Sequence, residues 1–132
     1  MSAKRDDLRL LEPPRDLHAH ERALIEQLLR PPFAGRDEIR YQLATARVRA
    51  EDSGDTRTIR FKLALEDVRR ACVSVRVPVE AEASDEDGTP IAVLLHVVDG
   101  LLDELEIYRV DGQPIQRDDL GALDSVVVNT GE

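Results

Sequence analysis

An α+β fold is expected from the order of apolar patterns along the chain: two stretches of helical period come first, then segments of period two, with turn residues between them. The 132 residues, 42% of them apolar, suffice for one compact domain and are too few for two of ordinary size. The expected architecture is two N-terminal helices packed on one face of an antiparallel meander sheet of about five strands. The expected organisation is a flexible arm over residues 1–15, a single α+β domain over 16–128 and a tail over 129–132.

Residues 1–15 are charged, end in Pro13-Pro14 and show no sustained period, which reads as an arm. From Asp16 onward Leu17, Leu24, Ile25, Leu28 and Leu29 fall at helical spacing, with Asp16 as N-cap and Pro31-Pro32 as the stop. After a Pro-Pro-Phe-Ala-Gly linker, Gly35 opens a second helix whose apolar face is Ile39, Leu43 and Ala46. Residues 47–51 and 56–65 then flank Asp52-Ser53-Gly54-Asp55, a turn between β-prone stretches, and predict a hairpin.

Residues 72–83 alternate most clearly. Val73, Val75, Val77, Val79, Ala81 and Ala83 point one way, and Ser74, Arg76, Pro78, Glu80 and Glu82 the other. Pro78 lacks a ladder donor, so the strand is paired there on one side only or bulges. Residues 91–98 are apolar on both faces apart from His96, which suits a central strand, and residues 101–110 alternate again. A two-residue Asp99-Gly100 loop would turn Glu104 and Glu106 to the face of Val93 and Leu95. A three-residue Val98-Asp99-Gly100 loop sets Leu105 beside Val93 and Ile107 beside Ile91, and is the expected register. Residues 123–128 add a short strand or belong to the tail. The expected core is Val73, Val75, Val77, Val79, Ile91, Val93, Leu95, Val97, Leu105 and Ile107 under Leu24, Leu28, Ile39 and Leu43.

Charge is divided unevenly. Residues 1–70 hold 15 basic and 13 acidic side chains, whereas residues 71–132 hold 3 and 14, giving a net charge of −9. Phosphate would meet like charge in the second half, and two Tyr with two Phe are too few for a stacking platform, so nucleic acid is not expected. The single cysteine, Cys72, excludes an intramolecular disulfide and a Cys-rich zinc site. With neither an apolar leader nor a run of membrane-spanning length, a cytoplasmic location away from membranes is expected.

Catalytic signatures are missing: the chain has no Gly-rich phosphate loop, G-x-S-x-G elbow or HExxH. Asp85-Glu86-Asp87-Gly88 has the composition of a calcium loop, but aligning its glycine puts Ala83 and Leu94 where ligands are required. His18 and His20 diverge if both lie within a helix and read as solvated helix-end residues. The strongest cluster is His96 with Glu104 and Glu106. The expected register places His96 opposite Leu102 and diagonal to Glu104, a group able in principle to share a proton or hold a divalent metal. On an open sheet face such a group lacks a second shell, so no catalytic residue, metal or cofactor is expected.

The segments LHVVDGLLDELEIYRVDG at 95–112, PFAGRDEIRYQL at 32–43 and RVPVE at 76–80 resemble a family of small uncharacterised bacterial proteins with no established activity. The acidic, cysteine-poor build is also similar to that of bacterial immunity proteins. The function expected is that of a non-enzymatic acidic protein docking a basic protein partner, an immunity or antitoxin-like inhibitor being the concrete form. Its surface would be Glu80, Glu82, Leu94, His96, Asp103, Glu104, Glu106 and Tyr108. The alternatives are a small-ligand or metal-dependent enzyme built around His96, and a structural homodimer closing through the exposed sheet face.

Overall fold

The computed structural model describes residues 8–52 and 54–130, so residues 1–7 of the expected arm, Ser53 of the hairpin turn and the last two residues of the tail lie outside the described residues. The elements in chain order are β1 (Arg9–Asp16), α1 (Ala19–Leu28), α2 (Arg36–Leu43), β2 (Arg47–Glu51), β3 (Ile59–Lys62), β4 (Val79–Ser84), β5 (Pro90–Val98), β6 (Leu101–Arg109) and β7 (Ser125–Val128). They form one antiparallel sheet of seven strands in the order β1-β2-β3-β6-β5-β4-β7. The fold is α+β, but the expected meander of about five strands under two helices is overturned.

Two differences have local causes. Residues 9–15, expected as arm, and Asp16, expected as a helix N-cap, form the strand that pairs with β2, and the register shifts between Leu10 and Arg15 around Pro13-Pro14. Proline cannot donate to a ladder, so this strand sits at the sheet edge, and its irregular burial hides the period a strand normally shows. The second is the path from β3 to β4. Residues 63–78 run past the far end of the β5–β6 hairpin, where Ala71 N–H donates to Gly100 O at 2.8 Å, and enter on the other side of β5. Gln42 of α2 clips this crossing: its amide donates to Arg69 O and Gly100 O and accepts from the N–H of Leu102.

The ladder of β4 starts only at Val79, directly after Pro78, although Val97 N–H still reaches Arg76 O at 2.7 Å. The expected strand over 72–83 is therefore regular only in its second half. Val79, Ala81 and Ala83 are buried, whereas Val73, Val75 and Val77 are part-exposed.

The β5–β6 hairpin corrects the expected register. Its loop is the two-residue Asp99-Gly100, with φ of +54° and +76°, the double left-handed conformation favoured by strand twist. A bulge then falls at Asp103: Val97 pairs with Leu102, but His96 pairs with Glu104. The extra residue returns Leu105 and Ile107 to the inner face, opposite Leu95 and Val93, two residues along from the expected partners.

On that inner face Leu24, Ile25, Leu28 and Leu29 from the first helical segment and Ile39 and Leu43 from α2 cover Ile91, Val93, Leu95, Val97, Leu105 and Ile107, all buried. Glu21 supports the start of α1 by accepting the His18 N–H at 2.8 Å, which makes His18 rather than Asp16 the N-cap.

Candidate functional site

Strand alternation and pairing lay out the opposite, outer face as cross-strand rows. Glu82, Ala92 and Tyr108 form one row, Glu80, Leu94 and Glu106 the next, and His96, Glu104 and Arg60 a third. The expected surface residues are thus brought together, with Asp103 on the bulge beside them. The correction concerns exposure. Glu104 is 0% exposed, His96 5% and Glu106 7%, so the centre of the face is closed. Leu94, Tyr108, Glu80 and Asp103 are half-buried, and Glu82 is exposed.

Two arginines reach the centre of the face: Arg76, which alternation sets on this side, and Arg60, whose strand was not expected beside β6. Arg60 of β3 bonds Glu104 Oε1 through Nε at 3.3 Å. Arg76, from the irregular stretch before β4, donates Nε–H to His96 Nδ1 at 3.0 Å and lies 3.6 Å from Asp103 Oδ2. A guanidinium can donate only to an unprotonated ring nitrogen, so the His96 proton sits on Nε2 and is given to Glu106 Oε1 at 2.8 Å. Asn129 donates to Glu80 Oε2 at 2.8 Å and to Val77 O at 2.9 Å. Burial, with the nearby charges of Glu106 and Glu80, raises the Tyr108 hydroxyl above its ordinary value.

His96, Glu104 and Glu106 offer donor atoms within 4.8 Å of one another, the set with which this chain would hold a divalent ion. Ligation through Nε2 requires the ring proton to move to Nδ1, where it would oppose the N–H of Arg76. The arrangement present favours a closed polar network over an ion.

A second concavity was missed by sequence reasoning. A cavity of about 300 Å³ lies at the start of α1, floored by Leu24, Ile59, Ile107 and Leu120. His18 and His20 line it and stack with ring centroids 5.5 Å apart. They meet because His18 is the N-cap and lies outside the helix, so the divergence expected of two helical positions does not apply. Arg15 closes the wall by bonding Glu21 and Glu51, and with Arg9 it holds the Glu51 carboxyl below its ordinary value although burial acts the other way. The volume is at the small end of ligand sites, and Arg15, Glu21 and Glu51 in its wall are bonded to one another.

Fold and site together define an α+β protein whose antiparallel sheet bears helices on one face and a buried histidine, carboxylate and guanidinium network on the other. The chain belongs to the family described as Domain of unknown function (DUF6984), which matches residues 14–118 and so spans both helices and strands β2 to β6. No curated protein and no solved structure matches it. Among the described residues, no helix is long and apolar enough to cross a membrane.

Proposed function

We propose that the protein is a non-enzymatic binding protein whose outer sheet face docks a basic protein partner, with an inhibitor of the immunity or antitoxin type as the concrete form. The observation supporting this reading is that five carboxylates, Glu80, Glu82, Asp103, Glu104 and Glu106, share one face, where Arg60 bonds Glu104 and Arg76 lies 3.6 Å from Asp103. The face already attracts arginine within the chain. Glu82, Asp103 and Glu80 are the accessible acids, and half-buried Leu94 and Tyr108 supply an apolar seat between them. Glu104 and Glu106 are too deep for contact and act through their field. The acidic rim raises the association rate and selects the sign of the partner.

The test is charge reversal confined to accessible positions, since lysine at Glu104 or Glu106 would unfold the sheet. Wild type and the Glu80→Lys, Glu82→Lys, Asp103→Lys triple variant serve as baits, and a basic protein captured by the first is purified and titrated against both. Association with the variant should be about tenfold slower or more at low salt, with dissociation little changed, and the difference should fade as salt rises to about 0.5 M. Equal affinity of the purified partner for both proteins at low salt would end the proposal.

A further inference from the structure

The two edges of the sheet are built differently. At one end β1 carries Pro13, Pro14 and the charged Arg9, Glu12, Arg15 and Asp16, devices that stop another strand from adding. At the other end is β7, Ser-Val-Val-Val, continuing into Asn129 and Thr130: six residues without charge in a chain of which 34% is charged. Among the described residues no proline or register shift interrupts Ser125–Val128, and Val127 is 51% exposed.

From this contrast we infer that β7 pairs antiparallel with β7 of a second copy of this chain, joining the two sheets across a two-fold axis at Val127.

The backbone of β7 is disposed for it. Asn129 N–H bonds Pro78 O at 2.9 Å, and hydrogen-bonded residues alternate along an antiparallel pair, so Val127 and Ser125 are the residues bonded to β4. Val126 and Val128 then direct their N–H and C=O to the open edge. Two such edges are self-complementary in one register: Val126 exchanges both backbone bonds with Val128 of the partner subunit, and the symmetry repeats the exchange. Val127 meets its own copy in the non-hydrogen-bonded position on the axis, which places the exposed apolar side chains in contact on the outer face. Val126 and Val128 already pack against the core on the inner side, so the joined sheet continues it.

Charge selects the occupant. A basic peptide finds no carboxylate within residues 125–130, whereas a chain of net charge −9 can approach its own copy most closely along an uncharged strip. Self-association here is opposed by long-range repulsion and should tighten with salt, the opposite of the response of the basic-partner surface.

The experiment is sedimentation equilibrium of the full chain in a Cys72→Ser background. A monomer–dimer equilibrium is expected, with the dissociation constant falling between about 50 mM and about 500 mM NaCl. Val127→Lys, at an exposed position that leaves the fold intact, should raise that constant about tenfold or more by setting like charges directly opposite. Val127→Cys should cross-link into a covalent dimer under mild oxidation, because non-hydrogen-bonded pairs bring Cα atoms to about 4.5 Å, within disulfide reach. Ser125→Cys, which faces Asn129 of the partner subunit, should not. A chain that stays monomeric at millimolar concentration and high salt overturns the inference. So does a dimer that Val127→Lys leaves intact, or one that salt dissociates.

Discussion

Replacing Arg109 by methionine keeps the bulk of a side chain that is 4% exposed and removes the charge that joins three segments. Its guanidinium bonds Asp85 at 3.0 Å, Thr89 at 3.1 Å and Asp111 at 2.7 Å, tying the end of β6 to the β4–β5 turn and to the loop that follows β6. Asp85 is the partner that suffers, since its side chain is 0% exposed. Removing one member of a buried ion pair costs about 3–5 kcal/mol. Asp85 would still accept the N–H groups of Glu86, Gln116 and Arg117, so the low end, about 3 kcal/mol, is expected here. That is a large part of the roughly 5–15 kcal/mol of an ordinary domain and is readily measured by urea unfolding followed by far-ultraviolet circular dichroism. The pH dependence supplies a second arm. Burial pushes the Asp85 carboxyl up, but the N–H groups of Gln116 and Glu86, the Arg109 guanidinium and the N–H of Arg117 outweigh it and hold it at about 2, against an ordinary 3.8. A carboxyl lowered on folding stabilises fully above its unfolded value and loses that contribution as pH falls toward the folded one. The gap between wild type and Arg109→Met should therefore narrow from about pH 4 down to about pH 2. A loss below about 1 kcal/mol at neutral pH, or a gap independent of pH, would refute the reasoning.

Leu95→Ala truncates a side chain that is 0% exposed at the middle of β5, and chemical denaturation should show a loss of about 2–5 kcal/mol. Gly100→Ala should destabilise by about 1–3 kcal/mol, because the residue sits at a φ of +76° and its new Cβ would lie 2.7 Å from the carbonyl oxygen of Ala71; a melting temperature equal to wild type would contradict this. Isothermal titration with zinc or manganese should show no stoichiometric binding, since the Arg76 contact keeps the proton of His96 on Nε2; one tight site per chain that vanishes in His96→Ala would contradict it.

Much of the sheet was legible because period-two alternation reports which face a residue takes even when the strand's partner is unknown. Leu105 and Ile107 lie inside and Glu104 and Glu106 on the other face, as their alternation requires. The partners were less legible. The Asp99-Gly100 turn and the Asp103 bulge together preserve the facing of residues 104–109 while moving their partners by two residues, and alternation there cannot distinguish that pair of features from a longer loop. β1 escaped because an edge strand interrupted by two prolines has neither period nor a buried face. The pairing of β3 with β6 instead of β4 escaped because its cause is the irregular crossing of residues 63–78, which is held by bonds from Gln42 and Gly100.

For the site, the same argument sets out what a sequence can and cannot say. The acids of the outer face were assembled correctly by alternation, but their exposure was misjudged, because exposure depends on what other segments place above them. Arg60 reaches Glu104 only because β3 pairs with β6 and not with β4, and Arg76 reaches His96 only because the chain before Pro78 leaves the ladder. Alternation already sets Arg76 on the face of Glu80 and Glu82, whereas Arg60 comes from a strand whose pairing with β6 was not foreseen. With them the centre of the face is a closed polar network with an acidic rim. A partner that binds here gains contact from Glu82, Asp103 and Glu80 and from the half-buried Leu94 and Tyr108, while Glu104 and Glu106 remain occupied beneath. Charge changes at the rim should therefore act on encounter, and changes to the buried residues should act first on the stability of the sheet that presents them.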